Sequence, residues 1–191
     1  MGIYSMIASS GGGGGSTSNR SFELISTTVA SSDTTLDFTG LSEDLYLLIG
    51  KDVMFGDSFS ANRTLEIRTR VQGGSFESGA TDYSWAASGR TASGTSIGAG
   101  STGATEIETK ISSADTDDTG KRAYLEIYVQ NIGNSSRNTT LFGNGYGTDG
   151  DFCQFAGIRN ATQDDDGVQL LVSAGKIEEG TFYLYKVTEG V

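Results

Sequence analysis

The sequence predicts an all-β fold, a sandwich or barrel of short antiparallel strands. Three observations carry this. From residue 21 onward, apolar residues recur at every second position in short runs. Gly, Asn, Asp and Ser bound those runs, which is turn chemistry. No segment shows a 3.6-residue apolar period.

Phe22-Glu23-Leu24-Ile25-Ser26 opens the series of strands, and Leu36-Asp37-Phe38 alternates next. Residues 45–55 are nearly all apolar except for Gly50-Lys51-Asp52, which predicts a buried strand or a bent one. The clearest alternation follows. Leu65, Ile67, Thr69 and Val71 share one face, with Glu66, Arg68 and Arg70 on the other. Leu65 and Ile67 should be buried, and Glu66 and Arg68 much less so. Residues 83–87 carry the single tryptophan, Trp85. Residues 88–105 hold almost no core-forming side chain and predict an exposed excursion. Residues 104–111 place Ile107 and Ile111 on one face. In 123–129, Ala123, Leu125, Ile127 and Val129 face one way, and Tyr124, Glu126 and Tyr128 the other. The closing runs are 140–142, 152–158, 168–172 and 181–187. The sum is about ten or eleven strands, at least eight of them in two packed sheets, with little helix.

Composition removes several classes of chemistry. The 191 residues include no histidine, no proline and one cysteine, with a net charge of −11. Without histidine there is no Ser-His-Asp triad, no Cys-His pair and no His-containing zinc site. One thiol cannot build an internal disulfide or a thiolate cluster. No enzyme activity and no cofactor are expected. The acidic balance repels phosphate backbones, so nucleic acid is not an expected partner. No apolar run approaches a membrane span, and the first residues lack the basic and apolar segments of a signal peptide. A soluble chain with no membrane partner is the expectation.

Residues 1–20 differ from the domain at 21–191. Ile3, Tyr4, Met6 and Ile7 lead into five consecutive glycines, Gly11 to Gly15, and then a Ser/Thr/Asn run. Ordering a glycine costs backbone entropy that its missing side chain cannot offset. The expectation is an extended Gly/Ser-rich arm that docks on a neighbour, with Ile3, Tyr4, Met6 and Ile7 as its anchors.

The candidate metal ligands are Asp115, Asp117 and Glu126. Asp115-Thr116-Asp117-Asp118-Thr119-Gly120 with Glu126 has the acidic and glycine spacing of an EF-hand loop. Its flanks read as strands rather than helices, and Arg122 stands where a hydrophobic residue would pack. That leaves a looser Ca²⁺ site, outweighed by an Asx-rich turn. The runs at 149–151 and 164–167 carry weaker versions of the pattern. No local motif selects a carboxylate pair for glycoside hydrolysis. Most tyrosines alternate within strands and should be core or half-buried, with Tyr146 the one expected in the open. Cys153, between Phe152 and Phe155, reads as a buried small hydrophobe.

Three stretches resemble a diffuse family of bacteriophage virion proteins built on a jelly-roll-like β-sandwich. They are TTLDFTGLSEDLYLLI (34–49), LEIRTRVQGGSFESGATDYSW (65–85) and VQLLVSAGKIEEGTFYLYKV (168–187). The family supplies head decoration proteins and tail-fibre domains. The resemblance implies an antiparallel jelly-roll-like sandwich, a structural role in the virion and no catalytic residues. The arm is outside the family pattern. A head decoration (cement) protein is the first expectation: one domain on the outer surface of the head, tied by its arm to the major capsid protein. Copies of itself are the second expected partner, and the resemblance implies trimers. The alternative is a tail-fibre module whose loops read host glycans.

Overall fold

The computed structural model describes residues 20–42, 45–56, 63–113, 122–147 and 150–189. Twelve strands and no helix occur among the described residues. They are β1 (Arg20–Asp33), β2 (Thr35–Thr39), β3 (Leu45–Gly56), β4 (Arg63–Val71), β5 (Tyr83–Arg90), β6 (Ser96–Ala104), β7 (Ile107–Ser113), β8 (Ala123–Gln130), β9 (Asn138–Tyr146), β10 (Phe152–Thr162), β11 (Asp165–Val172) and β12 (Lys176–Glu189). The Ile3, Tyr4, Met6 and Ile7 anchors, and Asp115 and Asp117, lie outside the described residues.

The strands form two antiparallel sheets. The larger runs β1-β12-β3-β8-β9-β10-β5-β6, and the smaller runs β2-β11-β4-β7. Their inner faces share one core. Leu48, Ile127, Leu141 and Phe182 come from the larger sheet, and Leu65, Ile67, Ile107 and Leu170 from the smaller. Strand β7 lies close over β10. A Cβ on Gly157 would stand 2.6 Å from Ile107 Cδ1, so only glycine lets that isoleucine sink to the backbone.

Period two decides which residues line this core. Leu65, Ile67, Leu125 and Ile127 are fully buried, as their alternation predicts. Strand β3 is the bent strand that Gly50-Lys51-Asp52 predicts. Its register slips between Gly50 and Val53 against β8, and Asp52 sits at φ 55°. One expectation fails at Glu66, which is buried at 8 % exposure. Strand β4 is interior to its sheet, with β11 on one side and β7 on the other. Glu66 lies opposite Glu108 and Leu171, and those neighbours cover it from both sides. Arg68 is half-buried and bonds Glu106 at 3.1 Å.

This burial has a pH signature. Burial, then repulsion by Glu106 and Glu108, pushes the Glu66 carboxyl from 4.5 to about 7, against the pull of Arg68 and Lys110. The fold therefore favours the protonated form. Its contribution to stability is complete below pH 4.5, declines as the pH climbs toward 7 and is gone above it. Thermal melts across that window should show Tm falling with pH, and Glu66→Gln should flatten the slope.

The expectation at 88–105 holds in part: none of these residues is buried, but the segment is paired strand rather than an unpaired excursion. These residues are the end of β5, a tight turn and the whole of β6, a paired hairpin at the margin of the larger sheet. Thr91 N–H donates to the Thr95 carbonyl at 2.9 Å, and Gly94 takes φ 86° in the turn. The segment pairs through its backbone, and Gly, Ala and Ser suffice for that. Ile97 and Ala99 pack against the core margin, where Trp85 and Ala87 of β5 already fill the interior.

Turn chemistry is otherwise structural. In the 164–167 run, Asp166 takes a bidentate contact from Arg70 at 2.7 and 3.0 Å, and that contact holds its carboxyl below the usual range. Asp165 is fully buried and pairs with Arg159, itself 2 % exposed. Thr139 donates to the other Asp165 oxygen at 2.7 Å. This pair locks the turn between β10 and β11.

Candidate functional site

The outer face of the eight-stranded sheet, turned away from the shared core, is the most distinctive surface of the molecule. Every large hydrophobic residue that is exposed among the described residues belongs to this sheet. Phe22, Leu24, Ile25 and Val29 come from β1, and Phe142, Tyr146, Phe152 and Ile158 from β9 and β10.

Alternation and register together build this face. In β8 the core takes Leu125, Ile127 and Val129, so Tyr124, Glu126 and Tyr128 must point out. Register sets Tyr128 beside Phe142 and Tyr124 beside Tyr146 on β9. Both pairs stack, with ring centroids 5.2 and 5.8 Å apart. Phe152 of β10 extends the second pair. The first row runs Leu24, Tyr185, Leu47, Tyr128, Phe142, Ala156, Ala86, Gly100 across the whole sheet. Its first five members are large and its last three are small.

Where large meets small, a groove of about 510 Å³ opens. Tyr128 and Phe142 stand on one side, and Ala156 and Ala86 lie on the floor. Asn144, Gln154 and Ser88 line it with amide and hydroxyl groups, and Gln154 Nε2 donates to Ser88 Oγ at 3.2 Å. None of the lining side chains is charged.

Glu126 lies on this face between the two aromatic pairs. Its carboxylate accepts a hydrogen bond from the Tyr124 hydroxyl at 2.5 Å, and burial together with that bond pushes the Tyr124 hydroxyl up. Among the described residues no group of three side chains could hold a metal ion. Cys153 is buried as expected. Its thiol donates to the Lys110 carbonyl at 3.0 Å, and burial pushes it up to about 11, which keeps it protonated at neutral pH. Tyr46, Tyr83 and Trp85 are core residues, while Tyr124, Tyr128, Tyr183 and Tyr185 are half-buried and Tyr146 is exposed, in line with the alternation.

Sequence reasoning missed Phe142 and Phe152 as surface residues. The signal was partial: Phe152 lies one step out of phase with Cys153 and Phe155, which marks it for the opposite face. The chain matches no family model, no curated protein and no solved structure.

Proposed function

We propose that this chain is a bacteriophage virion structural protein, a jelly-roll-like β-sandwich that decorates the outer surface of the head and stabilises it. The supporting observation is the apolar outer face. Eight large hydrophobics are exposed on one sheet and none on the other among the described residues. Scattered exposed hydrophobics need no explanation, but a one-sided set marks a surface that meets another protein. The three stretches that resemble virion sandwiches give the class of partner: the major capsid protein and further copies of the chain. The arm, with Ile3, Tyr4, Met6 and Ile7 as anchors, ties the domain to the capsid.

The groove favours a second reading, a tail-fibre module for host glycans. An aromatic wall beside uncharged amide and hydroxyl groups suits the apolar face and hydroxyl edge of a neutral sugar ring.

One experiment separates the two. Arg20 opens β1, so a chain shortened to begin there keeps every described strand. It should melt within a degree or two of the full chain and fail to cosediment with undecorated heads. Equal binding by the shortened chain removes the arm from the mechanism. Retention of the protein on an array of neutral oligosaccharides, lost in Phe142→Ala, supports the glycan reading instead.

A further inference from the structure

The groove lies over the last strands of the larger sheet, β9-β10-β5-β6. Its shape follows from the residues that alternation turns outward. On the β9 side stands Phe142. Tyr128 covers one face of its ring, so the other face is turned toward β10. Ala156 and Ala86 form the floor. The large exposed side chains of β10 stand at the two ends, Ile158 beyond Ala156 and Phe152 beyond Gln154. At ~3.4 Å per residue they are about 20 Å apart, so a ring-sized molecule has room between them. The groove is thus walled on three sides.

The fourth side is open. There the outward positions of β6 are Gly98, opposite Ser88, and Gly100, opposite Ala86. The two glycines have different causes. A Cβ on Gly100 would stand 2.9 Å from the Trp85 carbonyl oxygen, so packing excludes a side chain. A Cβ on Gly98 would meet no heavy atom within 4 Å, and Gly98 takes no positive φ. Neither space nor backbone conformation calls for glycine at 98. A glycine inside a strand weakens it and often marks close approach by a ligand or another backbone. A strand added at the free edge would lie in the plane of the sheet and would tolerate a side chain on its face. A molecule lying on the face would not.

The polar row of the groove sets the chemistry of the occupant. Asn144, Gln154 and Ser88 stand side by side on β9, β10 and β5, and Gly98 continues the row. Amide and hydroxyl groups both donate and accept, which suits neighbouring hydroxyls on a ring. No lining side chain is charged, and Glu126 of β8 stands behind Asn144 in the same row. Arg90, at the corner opposite Phe152, is directed to the Gly94 carbonyl at 3.3 Å. An acidic sugar would find no cation in the groove and a carboxylate behind it, on a chain of net charge −11.

We infer, resting on the glycan reading of this groove, that it holds the end ring of a linear uncharged oligosaccharide whose next rings leave across β6, over Gly98 and Gly100. The end ring rests on Ala156 and Ala86 beside Phe142, and its hydroxyls meet the Asn144, Gln154 and Ser88 row. Phe152 and Ile158 stop the sugar chain from running on along β10.

The test is titration calorimetry of the full chain with glucose, mannose and N-acetylglucosamine, and with cellotetraose, mannotetraose and chitotetraose. One series should bind, the tetramer more tightly than the single sugar. Gly98→Thr sets a β-branched side chain across the exit. It should melt no lower than the parent, because the Cβ has room and threonine suits a strand. It should weaken the tetramer about tenfold and the single sugar less than about twofold. Gly98→Ala should lose in the same direction by a smaller factor. Equal losses for single sugar and tetramer, or no loss in Gly98→Thr, overturn the inference. In that case binding that Phe142→Ala still abolishes leaves the glycan reading standing. Sialyllactose binding more tightly than every neutral tetramer overturns the assignment to uncharged sugars. A full chain that binds none of these sugars overturns the glycan reading and this inference together.

Discussion

Asp165→Ala should be among the most damaging single changes in this protein, costing about 3–5 kcal/mol. Asp165 is fully buried, and the Arg159 side chain beside it is 3 % exposed. Removing the carboxylate leaves a guanidinium inside the protein with Gln163 at 3.2 Å and the more exposed Glu77 at 3.4 Å. It also takes away the acceptor of the Thr139 hydroxyl. The melting temperature should drop by about 6–20 °C, at the 2–4 °C per kcal/mol usual for a chain of this length. The expected cost comes mainly from the stranded charge. Replacing both members, Arg159→Leu with Asp165→Leu, should therefore cost less than Asp165→Ala alone. If the double variant is as unstable as the sum of the singles, the pair is not the unit that holds this turn. Denaturant unfolding of Asp165→Ala, of the two leucine singles and of the double variant decides it.

Phe182→Ala should cost a similar amount, about 3–5 kcal/mol. Phe182 is fully buried on β12 and lies opposite Gly50 of β3. A Cβ on Gly50 would stand 2.9 Å from the Phe182 ring and 2.8 Å from Leu125 Cγ. The ring thus occupies the space the glycine leaves. With alanine at 182, two small residues face each other and the cavity has little to collapse into. Gly50→Ala attacks the same contact from the other side and should cost about 1–3 kcal/mol by overpacking. An unchanged midpoint in either variant would show that β3 and β12 can shift past one another here.

The strands were legible in the sequence wherever burial and alternation coincide. Leu65 and Ile67 announce β4, and Leu125, Ile127 and Val129 announce β8. Strand β6 was hidden because Ser96–Ala104 is paired through its backbone and contributes little to the core. Glu66 was misjudged for a related reason. Alternation assigns a residue to a face, but the neighbouring strands decide how much of that face meets water. The aromatic surface was half visible. The phase of Tyr124 and Tyr128 against Leu125 and Ile127 puts them outside. Their stacking partners Phe142 and Tyr146 come from strand order and register, which are long-range facts that a single sequence does not display. The anchors of the arm and the acidic pair at 115 and 117 lie outside the described residues, so for them the sequence remains the whole of the argument.

The pairing of the first described strand with the last has a consequence for how the chain matures. Strand β1 hydrogen-bonds only to β12 among the described strands, and β2 only to β11. The local hairpins are β5–β6, β8–β9 and β9–β10, which can close as soon as they are made. At ribosomal speeds of about 5–20 residues per second, β1 waits roughly 7–30 s for its partner to be synthesised. Non-local pairing of this kind is slow to form as well. Throughout that interval Phe22, Leu24, Ile25 and Val29 sit on an unpaired strand of a nascent chain. Strand β12 acts as the late closure of the larger sheet, and a polypeptide cut short before Lys176 would leave both β1 and β3 without their β12 neighbour.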